Sequence, residues 1–188
     1  MPGISSGPAP AGPDFPAIQG EHWIEALHDG SRVLIRPIRP EDGDRESDFI
    51  ARLSPEARYY RFLGEVSPRD KALIDQMTHV DGHASMAFVA LAHDNGVLRE
   101  VGVSRYAAAD EAKRCECAVT VADDWQHRGL AVALMRHLID VARRNGFRQM
   151  FSIDASSNES MRELARHLGF ACAPYPDDAT LVVHKLDL

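Results

Sequence analysis

One unit limits the folds open to this chain more than any other: a short apolar strand, a loop with one glycine, then a long amphipathic helix. Cys117-Ala118-Val119-Thr120-Val121 is short, apolar and partly β-branched, the pattern of a buried strand. The loop is Gln126-His127-Arg128-Gly129-Leu130-Ala131. Leu130, Leu134, Leu138 and Val141 then recur at helical steps and give the following helix one apolar face. A helix N-terminus carries unpaired N–H groups and the positive end of the macrodipole, so this unit builds an anion site from main chain. A pyrophosphate suits that geometry. The loop lacks Gly-Lys-Ser/Thr and Gly-x-Gly-x-x-Gly, so it is neither a Walker loop nor a dinucleotide fingerprint. Taken alone, Gly129 could also serve only close packing at a strand-to-helix turn.

A chain of 188 residues is long enough for one domain with a substantial core and short for two. Its net charge of −7 weighs against a nucleic-acid partner, which would need a basic stripe, and against an anionic membrane surface. No apolar run reaches membrane-spanning length and no signal-peptide pattern opens the chain. Cys115, Cys117 and Cys172 are odd in number and sit in apolar contexts, which predicts core thiols, no disulfide framework and a reducing cytoplasm. No second Cys/His pair completes Cys115-x-Cys117, and no metal spacing links the histidines, which are expected at the surface. No metal is therefore expected.

Residues 1–20, rich in Pro, Gly, Ser and Ala, read as a flexible leader, with one domain over 21–188. Residues 23–27 and 32–36 form a hairpin around Asp29-Gly30. Short helices are expected over 47–53, 55–63 and 68–77, the last two opened by Ser-Pro pairs as N-cap and N1. Strands over 86–92 and 98–106 flank the turn Asp94-Asn95-Gly96. A strand over 114–121 leads to the loop and a helix ending near Asn145, closed by Gly146. A strand over 148–153, a helix over 158–167 and a strand over 179–186 complete the order. Tyr59-Tyr60-Arg61-Phe62 reads as a helix packing its aromatic side on the sheet, or as a wall of a substrate site.

The loop resembles the Gln/Arg-x-x-Gly-x-Gly/Ala signature of the GNAT acetyltransferase superfamily. The likeness runs from about Trp23 to Leu186 and is most specific in four stretches. These are Arg36-Pro37-Ile38-Arg39-Pro40-Glu41-Asp42, Leu53-Ser54-Pro55-Glu56-Ala57-Arg58-Tyr59-Tyr60-Arg61-Phe62, Thr78-His79-Val80-Asp81, and Glu116-Cys117-Ala118-Val119 leading into Asp124-Trp125-Gln126. They resemble the GNAT domains of bacterial protein-lysine acetyltransferases. The resemblance implies an α/β (α+β) fold with a mixed, mostly antiparallel central sheet flanked by helices. It also implies that the family's fourth and fifth core strands splay apart to admit the pantetheine arm of acetyl-CoA. Gln126, His127, Arg128, Gly129, Leu130 and Ala131 would hold the pyrophosphate, and the main chain of Val119 and Val121 would bond the pantetheine.

Glu116 alternates on its strand with Ala118 and Thr120, opposite the face of Cys115 and Cys117. Partial desolvation there would raise its pKa and suit it to be a general base; otherwise it is a solvated side chain near the strand's open end. A lysine amine, with a pKa near 10.4, is neutral in about one molecule in a thousand at physiological pH, and freeing it costs roughly 4 kcal/mol. In the resembling branch the catalytic glutamate stands ten residues before the motif Gln, as Glu116 does before Gln126. Asn158 is a sound N-cap and, by resemblance, a cofactor contact. Many GNAT enzymes place a Tyr seven residues after it as acid for the departing thiolate; here Ala165 stands there, with Tyr175 nearby in sequence. The resulting expectation is an acetyl-CoA-dependent N-acetyltransferase acting on a protein lysine. A small-amine or amino-acid acetyltransferase and a non-catalytic acyl-CoA-binding domain are the alternatives.

Overall fold

In the computed structural model, residues 15, 19–110 and 113–188 are described. The expected leader falls almost entirely outside these residues. Phe15, within it, stacks on His93 with ring centroids 5.5 Å apart.

The chain runs β1 (Trp23–Ala26), β2 (Arg32–Pro37), α1 (Gly43–Arg52), α2 (Pro55–Phe62), α3 (Lys71–Thr78), β3 (Ser85–Asp94), β4 (Val97–Ala108), β5 (Arg114–Val121), α4 (Leu130–Arg144), β6 (Gln149–Ala155), α5 (Glu159–His167), β7 (Ala171–Tyr175) and β8 (Asp178–Asp187). These strands form one sheet in the order β1-β2-β3-β4-β5-β6-β8-β7. Every pairing is antiparallel except β5 with β6. The parallel pair exists because α4 carries the chain across the sheet between its two strands, as parallel neighbours require.

Both faces of the sheet are covered. Met86, Phe88, Ala90 and Ala92 of β3 join a core with Leu130, Leu134, Leu138 and Val141 of α4. Their neighbours Ala87, Val89 and Leu91 face the other core, with Phe49 and Ile50 of α1 and Ile74 and Met77 of α3. Burial on both sides explains why β3 reads as a continuous apolar run rather than an alternating one. A bulge shifts the β3–β4 register, so that Ala90 faces Gly102 while Leu91 faces Glu100. Gly102 lies directly under α4: a Cβ there would sit 3.0 Å from Leu134 Cδ1.

Three elements depart from the sequence reading. Helix α1 starts at Gly43, four residues before the expected start, directly after a 3-10 turn at Pro40–Asp42. Ser54-Pro55 caps α2 as expected, the Ser54 side chain accepting from Ala57 N. Ser67-Pro68 does not cap α3; Asp70 does, accepting from the N–H groups of Ala72 and Leu73, and the helix is correspondingly shorter. Strand β7 was not foreseen, because most of its side chains are exposed and it carries Pro174, which only an edge strand tolerates.

Candidate active site

Strands β5 and β6 stay paired through three positions only, Arg114 with Gln149, Cys115 with Met150 and Glu116 with Phe151. Beyond Glu116 they part, and a cleft of about 760 Å³ opens between them. Ala122 N donates to Val101 O, and Ala109 N to Arg114 O. By the two-residue alternation of an antiparallel ladder, the even-numbered residues of β5 bond β4. The N–H and C=O groups of Val119 and Val121 therefore point at the open edge, where β6 has already turned away. Two main-chain positions in the cleft thus offer a ladder without a partner strand.

At the wide end of the cleft the loop enters α4. His127 and Gly129 both take left-handed backbone, at φ +61° and +89°. This reversal aims the first turn of α4 at the cleft, and the first bond of the helix runs from Ala133 N to Gly129 O. The N–H groups ahead of it have no acceptor within the helix. Gln126, His127, Gly129, Leu130 and Ala131 all line the cleft. The side chain of Arg128 does not. Its guanidinium turns outward, donating to Asp29 Oδ2 at 2.9 Å and to Asp124 O at 2.6 Å, and lies 4.6 Å from the centroid of Trp125. Arg128 thus braces the loop and is not among the residues that line the cleft.

Gly129 also has a reason that sequence reading missed. A Cβ at this position would stand 2.8 Å from His28 Nε2, at the tip of the β1–β2 hairpin. His28 N donates to Arg128 O at 3.0 Å. The hairpin thus grips the loop through His28 and Asp29. No local signal could have found these two residues, because they look like ordinary turn residues.

Glu116 sits where the strands part, and it lines the cleft. Its side chain is exposed, so the expected partial desolvation is absent. Solvent therefore reaches it through the cleft. Across the cleft stand Tyr60, Arg61, Phe62 and Leu63 of α2 and its C-terminal turn. Helix α2 buries no residue completely, and Tyr59 is 52 % exposed. Phe62 alone of the aromatic trio packs on the core. Both readings of the Tyr-Tyr-Arg-Phe segment hold in part: Phe62 packs on the core, and Tyr60, Arg61 and Phe62 line the cleft.

Asn158 caps α5, its side chain accepting from Met161 N at 3.1 Å, and it lines the cleft as well. Ala165 is buried on α5, and Tyr175 ends β7, outside the residues that line the cleft. The tyrosine that does line it is Tyr60.

Cys115 and Cys117 are buried, and burial pushes the Cys115 thiol up to about 12 and Cys117 well above its usual value. Cys172 is exposed, contrary to the core position expected of it, because β7 is an edge strand. His184 is fully buried rather than superficial, 3.8 Å from Asp154 Oδ2. Among the described residues no three His, Cys, Asp or Glu side chains group as a metal site. Among the described residues no helix is long and apolar enough to cross a membrane.

Comparison with known proteins agrees with this geometry. Residues 50–170 match the model of the acetyltransferase (GNAT) family. The chain is 59 % identical over 174 residues to Acetyltransferase PA5475 of Pseudomonas aeruginosa, covering 93 % of this chain and 94 % of that protein. It is 28 % identical over 141 residues to Acetyltransferase Pat of Mycolicibacterium smegmatis, covering 74 % of this chain and 41 % of that longer protein. Among solved structures, the GNAT domain of S. lividans PAT superposes with a TM-score of 0.80 at 26 % identity, covering 89 % of this chain and 97 % of that one.

Proposed function

The chain belongs to the GNAT acetyltransferase family, whose members take acetyl-CoA as donor, and from that premise we propose that it acetylates a protein lysine with Glu116 as general base. In this reading the first turn of α4 and the loop from Gln126 to Ala131 hold the pyrophosphate, and Arg128 contributes only main chain. The pantetheine lies along Val119 and Val121 as a surrogate strand, and Asn158 flanks it. The thioester then comes to rest near Ala118, one turn of the pleat from Glu116.

The reaction is direct attack. Glu116 takes a proton from the acceptor ammonium, either itself or through a water, and the neutral amine adds to the thioester carbonyl. The tetrahedral intermediate loses its second amine proton to solvent and collapses with loss of coenzyme A as thiolate. Exposure of Glu116 favours the water-assisted route, since solvent reaches the carboxylate. A positioned base contributes roughly 10²–10⁴-fold in rate. The sequence has no Tyr at position 165, so the leaving thiolate departs without the acid many relatives use.

The observation that carries the protein acceptor is the wall across from Glu116. An exposed helix borders the cleft there, with Tyr59 52 % and Leu63 38 % exposed. Such a border leaves room for an extended lysine offered by a folded surface. The buried thiols at Cys115 and Cys117, with Cys172 unpaired, support a reducing cytoplasm as the compartment.

The test is acetylation of a cell lysate with labelled acetyl-CoA, mapped by mass spectrometry against a Glu116→Gln control. New acetyl-lysines above that control support the reading. Turnover of small amines with no protein acetylation replaces it with a small-amine acetyltransferase.

A further inference from the structure

Behind the cleft wall lies a cluster of charges that the acetyl-transfer chemistry does not use. Glu46 of α1 and Glu100 of β4 are both completely buried. Arg105 of β4 pairs with Glu46 at 3.5 Å and donates to Met77 O at 3.2 Å. Burial, and then the charge of Glu46, push the Glu100 carboxyl well above the usual carboxylate range. Glu46 and Arg105 are the ion pair of this cluster among the described residues.

Arg61 is the cation left over. It lines the cleft on the α2 side, and its guanidinium lies 4.8 Å from the ring centroid of Phe62. Among the described residues it makes no hydrogen bond and no ion pair within 4.0 Å. Burial and the like charge of Arg105 push it down to about 10, with Glu46 and Glu116 acting the other way, so it stays charged at neutral pH. A half-buried guanidinium presents five donors in a planar fork, the shape that pairs with a carboxylate. None of its nitrogens is sealed from solvent without a partner, so a carboxylate entering the cleft takes the place of water on the fork.

The other charge facing Arg61 across this end of the cleft is Glu116. Under the proposed reading, on which this inference rests, the acceptor amine lies at Glu116. An acceptor that brings an amine to Glu116 can bring an acid to Arg61. We propose that Arg61 forms a carboxylate-binding subsite at the acceptor end of the cleft, selecting amines that carry a carboxylate within reach. On a protein this is an acidic residue beside the target lysine. On a small molecule it is the carboxylate of an amino acid. The subsite runs against the chain's net charge of −7, which at long range attracts basic partners.

The test measures kcat/KM for acetyl transfer to four acceptors: a lysine peptide flanked by Asp, the same peptide flanked by Ala, free lysine, and cadaverine, which is lysine without its carboxylate. Asp-flanked over Ala-flanked peptide reads a protein source; lysine over cadaverine reads a small-molecule source. At least one ratio should be about 10–100-fold in the wild type, the range one charge-assisted contact supplies. Arg61→Gln should bring that ratio near one, Arg61→Lys should keep part of it, and Arg143→Gln, at an exposed position on α4, should leave it as it was. Equal ratios in wild type and Arg61→Gln overturn the subsite while acetyl transfer stands. Calorimetric titration of the Asp-flanked peptide and of lysine into the coenzyme A-loaded protein separates the two claims. Binding lost in Arg61→Gln without turnover of any acceptor keeps the subsite and overturns acetyl transfer. Neither binding nor turnover overturns both. Thermal melting of each variant confirms that it is folded.

Discussion

Arg128 Nη1 donates to Asp29 Oδ2 at 2.9 Å, tying the anion loop to a hairpin tip 99 residues earlier in the chain. The same loop is held by His28 N on Arg128 O and by Arg128 Nη2 on Asp124 O. A loop with two left-handed residues is prone to wander, and these contacts fix its shape before ligand arrives. Preorganisation of this kind lowers the entropy lost on binding. Asp29→Ala should therefore raise the Kd for acetyl-CoA several-fold, although Asp29 does not line the cleft. The exchanged pair Asp29→Arg with Arg128→Asp should recover part of the loss. Calorimetric titration of acetyl-CoA checks this, and an unchanged Kd in Asp29→Ala would mean the loop holds its shape unaided.

Gly129 is required by two independent effects. Its φ of +89° costs an ordinary residue about 1–2 kcal/mol. A Cβ would also meet the His28 ring at 2.8 Å. Gly129→Ala should lower stability by more than the conformational cost alone, and adding His28→Ala should restore the part due to the collision. Urea unfolding of the two variants separates these contributions. If His28→Ala rescues nothing, backbone strain is the whole effect.

The strand-loop-helix unit was legible because its signals are local: a β-branched run, one glycine, and leucines at helical spacing. Asn158 as a cap and the Asn95-Gly96 turn were legible for the same reason. What could not be read depends on residues distant in the chain. The strand pattern puts Glu116 on a face, but only the divergence of β5 and β6 decides that it borders a cleft. The direction of the Arg128 side chain is set by Asp29, 99 residues earlier in the chain. The two faces of α2 cannot be ranked from Tyr59 to Phe62, because the segment is equally apolar whether it meets the sheet or the cleft. Edge strand β7 lacks the alternation that burial imposes.

The turn after β2 depends on one buried ion pair. Asp42 is 2 % exposed and accepts from Arg36 at 2.7 and 2.8 Å and from Arg39 N at 2.9 Å, with Arg45 as a further partner. Burial by itself would raise the Asp42 carboxyl, but the bonds and charge of Arg36 outweigh it and hold the carboxyl below its usual value. The folded state thus binds this proton more weakly than the unfolded one. The stability it contributes is full above the unfolded pKa near 3.9 and disappears as pH falls through the lower folded value. Asp42→Ala strands Arg36 in the core and should cost about 3–5 kcal/mol near neutrality. Urea unfolding between pH 7 and 3 checks both points; the gap between wild type and variant should narrow only at the acid end.

Whether Glu116 is the general base is read from a rate–pH profile of acetyl transfer in wild type and Glu116→Gln. The substitution keeps size and hydrogen bonding but cannot take a proton. Turnover at pH 7 should fall by about 10²–10⁴-fold, with the Kd for acetyl-CoA nearly unchanged. The residual rate should climb steadily with pH toward the pKa of the acceptor amine, near 10.4 for lysine, as the amine arrives already neutral. A Glu116→Gln enzyme that keeps wild-type turnover at pH 7, with the wild-type pH profile, would show that Glu116 is not the base.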